Sequence, residues 1–289
     1  MRLWARRQLM AAACAAAYAA AYAATCAAAA SAALAQDEVP FITTPDNVTL
    51  AMLQLAGVKA EDFVVDLGSG DGRIVITAAR RFGARGLGVE IVPDLVAQSR
   101  NNAVKAGVAE RVDFRVQDLF LTPLHDATVV TMYLLPEVNL QLRPRLLALP
   151  PGTRIVSHDW DMGDWLPDRS VTLDAPDKAI GRKKRSTVHL WVVPAPVQGL
   201  WCSGGLSLQI EQRFQRFSAT LAATGVPAPV MVFDGRIDAR TLHGLGATGD
   251  PRAELELQGA VLRLTRLAAP GSLHGGSTFT RAGAMGCAP

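Results

Sequence analysis

The segment Phe63-Val-Val-Asp-Leu-Gly-Ser-Gly-Asp-Gly72 combines a β-branched run, an acid and a glycine-rich turn. Because Gly68, Gly70 and Gly72 lack Cβ, the backbone can adopt positive φ there and approach a bound molecule closely. The helical pattern that begins at Arg73 would direct its free N–H groups and its positive dipole end at the same place. This strand, turn and helix predict a nucleoside-type ligand at the carboxyl end of a sheet.

Three carboxylates decide which ligand the turn suits. Asp66 closes the first strand, Asp71 lies inside the turn, and Glu90 ends the next apolar run, where an acid can meet a ribose diol. Negative charge at Asp66 and Asp71 would repel the pyrophosphate of a dinucleotide but suits a cationic ligand with an amino group, such as S-adenosylmethionine (SAM). Two alternatives stay open: a bare βα turn or a different nucleotide ligand in place of SAM, and local cap or turn roles for Asp66 and Asp71.

A family resemblance rests on these same residues. Asp66-Leu-Gly-Ser-Gly-Asp-Gly72 resembles motif I of the class I, seven-β-strand SAM-dependent methyltransferases, and Glu90 resembles their ribose-binding acid. Asp118 resembles the acid that meets the adenine amino group, with Leu119 as its backbone neighbour. The resemblance implies SAM as cofactor, held by Asp66, Gly68, Ser69, Gly70, Asp71, Gly72, Glu90, Asp118 and Leu119.

Two further sequence segments indicate which groups within that superfamily the chain resembles. Pro40-Phe-Ile-Thr-Thr-Pro45 and Leu67-Gly-Ser-Gly-Asp-Gly-Arg-Ile-Val-Ile76 are similar to the small lysine methyltransferases of the ATP synthase c-subunit and to exported bacterial methyltransferase-domain proteins. The likeness covers residues 40–194 and implies a protein lysine as methyl acceptor, with a small molecule as the alternative. Tyr133-Leu-Leu-Pro136 departs from the motif of amino-group DNA methyltransferases, which argues against a nucleobase.

Methyl transfer from a sulfonium needs mainly proximity, orientation and a dry site. In this fold the acceptor lies over the ends of strands four and five, here Tyr133-Leu-Leu-Pro136 and His158-Asp-Trp-Asp-Met-Gly-Asp-Trp165. We expect Trp160 and Trp165 to form a slot for a cationic amine beside the acids of this segment, and His158 to act as general base. The alternative is a loop whose tryptophans fill the core edge. The candidate catalytic residues are His158, Tyr133 and Asp159.

Strands and helices alternate as far as residue 194, and the last two strands read as an antiparallel pair. This order predicts an α/β fold with a doubly wound, seven-stranded, Rossmann-like methyltransferase sheet. The predicted strands are Phe63–Leu67, Gly86–Ile91, Val112–Val116, Ala127–Tyr133, Arg154–Ser157, Val171–Leu173 and Thr187–Val193. The predicted helices follow a cap at Thr44-Pro45-Asp46, then span Arg73–Phe82, Pro93 to Gly107 and Glu137–Leu149.

The chain changes character after Pro194. Leu206-Ser-Leu-Gln-Ile210 and Leu255-Glu-Leu-Gln alternate cleanly, and glycine, aspartate and proline breaks recur between such runs. The pattern predicts a small all-β region, either a barrel or a sandwich. We therefore divide the chain into residues 1–35, a methyltransferase domain at 36–194 and a β-rich C-terminal domain at 195–289. Whether that last domain binds a partner, dimerises or only packs stays open.

The first 35 residues predict export. A basic start, a long uncharged alanine-rich stretch and Ala33-Leu-Ala35 are typical of a secretory signal cut before Gln36, and Arg6-Arg7 fits the twin-arginine route. An uncleaved anchor and a start at Met10 are the alternatives. We expect the mature protein in the periplasm or cell envelope. SAM is made in the cytoplasm, so an exported enzyme would lack an obvious supply of its cofactor. The alternative function is therefore a non-catalytic, ligand-binding protein of the cell envelope on the same fold.

Charge and cysteine usage agree with that address. The net charge of +3 disappears with the three arginines of the leader, so the mature chain is neutral and shows no nucleic-acid footprint. Cys14 and Cys26 leave with the leader, and Cys202 and Cys287 are expected to form a disulfide in an oxidising compartment. Such a bridge would contribute about 4 kcal/mol in the chain-entropy model. No metal site is predicted.

Overall fold

The computed structural model describes residues 42–180, 183–223, 226, 228–268, 276–283 and 286–287. The predicted leader, residues 1–35, lies outside these residues. Thr43 and the residues after it belong to one compact unit. Its helices are α1 Asp46–Leu55, α2 Arg73–Phe82, α3 Pro93–Lys105 and α4 Pro136–Leu147, with a short 3-10 helix at Leu119–Leu121.

The first seven strands form one sheet in the order β3-β2-β1-β4-β5-β7-β6. Neighbours from β3 to β5 are parallel, whereas β7 runs antiparallel to β5 and β6. The predicted doubly wound, seven-stranded sheet is thereby confirmed. The strands are β1 Phe63–Leu67, β2 Arg85–Glu90, β3 Val112–Val116, β4 Val129–Met132, β5 Arg154–His158, β6 Arg169–Asp174 and β7 Arg185–Val192.

Alternating side chains of the central strands bury both faces of the sheet. Val64 packs in a cluster with residues of α1 and α2, whereas the next residue, Val65, packs in a cluster with α4. Continuous apolar strands with helices on both faces are what a doubly wound parallel sheet requires. The carboxyl ends of β3, β2, β1, β4 and β5 therefore lie side by side and leave one edge for a site.

Two local predictions need correction. Thr44 does not cap α1, because Pro45 occupies the N-cap position and no side chain there accepts a hydrogen bond. The Thr44 hydroxyl lies instead 3.2 Å from Nδ1 of His158. Strand β4 is also shorter than predicted, and it ends at Met132. Tyr133 is consequently the first residue beyond the strand.

The C-terminal region closes into an eight-stranded barrel, in the ring order β10-β11-β12-β13-β14-β15-β8-β9. The interior is filled by large side chains such as Trp201, Phe217, Phe233 and Phe279, so the barrel is a packed core. Of the two predicted architectures, the barrel is the one that forms. Its strands are β8 Gly199–Ser203, β9 Leu206–Arg213, β10 Arg216–Ala223, β11 Pro229–Asp238, β12 Thr241–Leu245, β13 Pro251–Gln258, β14 Val261–Leu267 and β15 Thr278–Arg281.

The turn between β9 and β10 fastens the barrel to the methyltransferase sheet. Phe214 stacks on Trp165 with ring centroids 6.0 Å apart, and the guanidinium of Arg143 lies 5.7 Å from the Phe214 ring. Beside this contact, Arg213 forms an ion pair with Asp164 at 2.9 Å. The predicted boundary after residue 194 lies in the connector between β7 and β8. The two cores are separate, but they share this contact.

Cys202 on β8 and Cys287 are joined by a disulfide, the expected pair. Within the described part of the chain, no helix is long and apolar enough to cross a membrane. The same residues contain no group of three or more His, Cys, Asp or Glu side chains that could hold a metal ion.

Candidate active site

The predicted site residues come together along one edge of the sheet. Asp118 and Leu119 follow β3, Glu90 ends β2, the glycine turn follows β1, Tyr133 follows β4, and His158 ends β5. These strands are consecutive neighbours in the sheet, so sequence segments far apart in the chain meet at their carboxyl ends. The cofactor candidates occupy the β3-β2-β1 side, and the acceptor candidates occupy the β4-β5 side.

The glycine turn has the backbone geometry that the sequence predicts. Gly68, Gly70 and Gly72 have φ of +75°, +53° and +80°, values that favour glycine. A Cβ on Gly72 would lie 2.7 Å from the ring of Phe114, so both conformation and space require glycine there. The N–H groups of Gly68 and Ser69 both donate to the carbonyl of Val89 at 2.9 Å, which ties the turn to β2.

Glu90 is held in place by backbone donors. Its Oε2 accepts from the N–H of Gly70 at 3.0 Å, and its Oε1 accepts from Ile91 and Val92 at 2.8 and 3.1 Å. These bonds orient a half-buried carboxylate beside the glycine turn. A carboxylate oxygen can accept more than one hydrogen bond, so a diol can still bind at this position.

Asp66 is a buried carboxyl group next to the turn, with only 2% of its surface exposed. It accepts a hydrogen bond from the Thr131 hydroxyl at 2.7 Å. Burial, with smaller contributions from the negative charges of Asp71 and Glu90, raises the pKa of Asp66 to about 7 against the lowering effect of the Thr131 hydrogen bond. The ionised form therefore lacks compensation, which a cationic ligand would provide.

Asp71 has a partner inside the protein. The guanidinium of Arg73 donates to both of its carboxylate oxygens, with Nη2 to Oδ2 at 2.7 Å, and Nη1 donates to the carbonyl of Thr44 at 2.8 Å. Arg73 therefore pairs with the charge of Asp71, and the cofactor-binding role of Asp71 stays a prediction. Its contacts are those of a turn acid, which also anchors the segment before α1.

Asp118 caps the 3-10 helix, since its Oδ1 accepts from the N–H of Phe120 at 2.7 Å. The side chain is exposed, and it follows β3, whose last residue Val116 is paired with Glu90 on β2. The guanidinium of Arg145 donates to the Leu119 carbonyl at 3.2 Å and so fixes the backbone of this helix. The adenine-binding roles of Asp118 and Leu119 stay predictions.

The arrangement fits the cofactor that the sequence implies. Gly68 and Gly72 let the turn pack closely on Leu134 and Phe114, and the buried Asp66 lacks a cationic partner among its contacts. The buried hydroxyl of Ser69 also has no hydrogen-bond partner within the described residues. A ligand that carries an ammonium group, a sulfonium and a ribose would satisfy these groups.

Comparison with known proteins identifies the family. The family described as the ANTKMT methyltransferase domain matches residues 66–169. A protein of Saccharolobus islandicus named protein-lysine N-methyltransferase is 39% identical over 157 residues, which make up 54% of this chain and 94% of that protein. The chain belongs to the class I SAM-dependent methyltransferases. The predicted family, enzyme class and cofactor are thereby confirmed.

Two further relatives of the methyltransferase differ in how much they share with it. The lysine N-methyltransferase of the ATP synthase c-subunit from Xenopus laevis is 35% identical to this chain over 131 residues. These residues make up 45% of this chain and 56% of that relative, so the chain spans about half of its length. A solved structure, described as an RNA methyltransferase from Salinibacter ruber with S-adenosyl-L-homocysteine, is 53% identical. That match covers 54% of this chain and 96% of the other, with a TM-score of 0.49. Each of these three relatives therefore matches at most 54% of this chain.

His158 does not have the surroundings of a general base, which corrects the expectation from the sequence. Its side chain is fully buried, with Nε2 2.8 Å from the hydroxyl of Ser186 and Nδ1 near Thr44. Burial lowers the pKa of His158 to about 4; nearby Asp159 opposes this shift and Lys178 adds to it. A neutral ring with both nitrogens occupied joins β5, β7 and the segment before α1, but it cannot readily collect a proton from an acceptor.

Tyr133 and Asp159 remain at the edge. The Tyr133 ring lies 3.9 Å from the ring of His158, and burial together with the charge of Asp159 raises the pKa of its phenol. The phenol therefore stays protonated and can donate a hydrogen bond. Asp159 has φ of +65°, an uncommon value for a residue with a side chain. Its Oδ1 accepts from the N–H of Thr187 at 3.0 Å, and its Oδ2 lies 2.5 Å from Nζ of Lys178.

The predicted pair of tryptophans does not form a slot. Trp165 is fully buried and packs against Trp191 and Phe214 at the contact with the barrel, whereas Trp160 is 44% exposed. The core-filling alternative therefore describes Trp165. Sequence reasoning missed Thr131, the partner of Asp66, although a hydroxyl in the middle of a mainly apolar strand was a visible signal. It also missed Lys178, for which the sequence offers no comparable signal.

Proposed function

We propose that this methyltransferase methylates the side-chain amine of a protein lysine. The observation that carries the proposal is the 39% identity to a protein named protein-lysine N-methyltransferase, across 94% of that protein. The similarity to a lysine methyltransferase of the ATP synthase c-subunit supports the same acceptor class. The carboxylate of Asp159 beside the phenol of Tyr133 gives the acceptor edge groups that suit an amine.

In this proposal, residues at the ends of β1 and β2 hold the cofactor, and residues after β4 and β5 hold the acceptor. When bound, SAM supplies an activated methyl group on a sulfonium. Asp66 and Glu90 bind and orient the cofactor, with the carboxylate of Asp66 opposite its positive charge. Tyr133 and Asp159 orient the acceptor, and the protein supplies proximity and a dry site in place of a strong base. The acceptor ammonium must first release a proton to water; the lone pair of the free amine then forms the N–CH3 bond as the S–CH3 bond breaks. The non-catalytic alternative is not favoured, because the relatives are named as enzymes.

We also propose that the protein works outside the cytoplasm, after removal of residues 1–35. The composition of this leader and the Cys202–Cys287 disulfide both support an oxidising compartment. Immunoblotting of cell fractions from the native host, with N-terminal sequencing of the product, tests this address. A full-length protein in the cytoplasmic fraction would contradict it.

Calorimetric titration of SAM into the chain that starts at Gln36 tests the cofactor half of the function. We expect micromolar binding that Glu90→Ala lowers at least tenfold, because the ribose loses its acceptor. Asp113→Ala is the matched control, since this exposed acid on β3 pairs with Arg115. Equal affinity in Glu90→Ala and the wild type would contradict the assigned cofactor site.

The acceptor half is tested with SAM that carries a deuterated methyl group. Proteins of the native cell envelope are incubated with this cofactor and the wild-type enzyme, and labelled residues are located by mass spectrometry. We expect the label on lysine Nζ, and we expect Glu90→Ala to leave the same proteins unlabelled. Label confined to small molecules, or to residues other than lysine, would overturn the lysine assignment.

A further inference from the structure

We propose that the Asp159 carboxylate is the binding site, or seat, of the acceptor ammonium. In the enzyme without substrate, the ammonium of Lys178 occupies this seat. The inference rests on the proposed lysine specificity and deepens it. It names the group that recognises the acceptor and an internal lysine that competes for the same place.

The carboxylate of Asp159 has one oxygen fixed by the backbone and a second oxygen that can bind an ammonium group. One oxygen, Oδ1, is fixed by the N–H of Thr187, and the backbone N–H of Asp159 itself donates to the Thr187 carbonyl at 2.6 Å. This pair of bonds anchors the residue to β7 and holds its positive φ. The second oxygen, Oδ2, lies 3.5 Å from Nε2 of the buried His158, a neutral ring whose Nε2 is paired with the Ser186 hydroxyl, so the charge of Oδ2 is left for a cation. Only 17% of the Asp159 side chain is exposed.

The partner in the structure is itself a lysine ammonium. Nζ of Lys178 lies 2.5 Å from Oδ2 of Asp159 and donates to the carbonyl of Arg185 at 2.8 Å. Only 13% of the Lys178 side chain is exposed, so the ammonium is largely withdrawn from water. The site therefore already binds the chemical group that a protein-lysine acceptor would present.

The position of this ion pair agrees with an acceptor role. Asp159 follows β5 directly, and Tyr133 follows the neighbouring strand β4. The negative charge of Asp159 acts on the Tyr133 phenol, which places both groups in one electrostatic environment. Lys178 comes from the loop between β6 and β7, outside the strands that carry the cofactor residues. An incoming lysine can take its place without a change in the glycine turn.

Lys178→Ala removes the last three methylene groups of the side chain and the ammonium, so n-propylammonium is the matched probe. We expect the thermal unfolding midpoint of Lys178→Ala to rise with n-propylammonium concentration, since a ligand that binds the folded state stabilises it. The neutral analogue 1-propanol should give no such rise. Wild type, the double variant Lys178→Ala with Asp159→Asn, and the exposed-lysine control Lys105→Ala should not respond to the amine.

A second measurement tests the acceptor role. With SAM present, we expect Lys178→Ala to convert n-propylamine to N-methylpropylamine at least tenfold faster than the wild type, as measured by mass spectrometry. Lys178→Gln, which keeps a long polar side chain, serves if the alanine variant does not fold. Calorimetric affinity for SAM should be the same in all these proteins, because Lys178 contacts none of the cofactor residues.

The outcomes separate the inference from the function on which it rests. Equal stabilisation of Lys178→Ala by 1-propanol, or no response to either probe, would overturn Asp159 as an ammonium seat. Stabilisation without methylated product would overturn its role as acceptor site. Loss of SAM binding in the wild type would instead contradict the proposed enzyme function, whatever the amine does.

Discussion

At the scale of single residues, the cofactor role proposed for Asp66 would come at the expense of stability. The folded protein holds this carboxyl group at a pKa of about 7, against 3.8 for an ordinary aspartate. From pH 4 to pH 7 the folded state therefore binds more protons than the unfolded state, and the free energy of unfolding falls as pH rises. Above pH 7 the full cost is on the order of 4 kcal/mol. The ionised form is nevertheless the one that attracts a cation.

Asp66→Asn should separate these two effects. The amide can still accept the hydrogen bond from Thr131 but carries no charge. We expect the free energy of unfolding at pH 8, measured by urea denaturation, to rise by a few kcal/mol, while SAM affinity falls at least tenfold. Asp113→Asn is the control for a surface acid. A variant that gains no stability at pH 8 would contradict the raised pKa of Asp66.

The same carboxyl group predicts a pH dependence for cofactor binding. Protonation of Asp66 removes the negative charge that faces the ligand, so SAM should bind more tightly at pH 8 than at pH 6. Calorimetry at both values tests this expectation, with Asp66→Asn as the protein in which the difference should disappear. Equal affinity of the wild type at the two pH values would argue that Asp66 does not face the cationic group.

At the scale of elements, the loop after β5 is held from the barrel side by the turn between β9 and β10. The aromatic contact joins the half-buried Phe214 to the fully buried Trp165, whereas the ion pair of Arg213 with Asp164 is exposed. We expect Phe214→Ala to lower the free energy of unfolding by about 2 kcal/mol and Arg213→Ala by less than about 1 kcal/mol. Urea denaturation of the two variants checks this order, and the reverse order would contradict it.

The elements also show what the sequence could and could not predict. The glycine turn, β1 and α2 were predictable because a βα turn is fixed by residues next to one another in the chain. Thr44 was assigned to a helix cap, because nothing near it indicates a partner more than a hundred residues away on β5. The surroundings of Trp165 and Lys178 likewise depend on packing between distant segments. The residues next to them in the sequence do not indicate which segments these are.

At the scale of the whole molecule, two buried groups oppose each other in their response to acid. The pKa of His158 is about 4, so between pH 6.5 and pH 4 the unfolded state binds more protons and stability falls as pH drops. Asp66 acts with the opposite sign in the same window. We therefore expect a shallow stability profile for the wild type from pH 4 to pH 6.5.

Single variants should reveal the separate contributions of Asp66 and His158 to the pH dependence of the free energy of unfolding. Asp66→Asn should lose stability steeply as the pH falls from 6.5 to 4, and His158→Gln should gain stability over the same range. Urea denaturation at half-unit pH intervals measures both profiles. The slopes decide the test, because His158→Gln also loses contacts with Thr44 and Ser186 that lower its stability at every pH. Parallel profiles in all three proteins would contradict the opposing pKa shifts.

The ring of β8–β15 closes where its last strand pairs with its first, through Thr280 opposite Cys202 and Arg281 opposite Trp201. Arg281 then donates to the carbonyls of Pro196 and Gln198 at 2.6 and 2.7 Å, in the connector that leads out of the sheet. The chain thus leaves this module beside the point where it entered. A module with adjacent ends can be inserted into a host loop, or removed from one, without a gap to span. The barrel therefore has the end-to-end geometry of a module that is joined to the sheet at a single place in space.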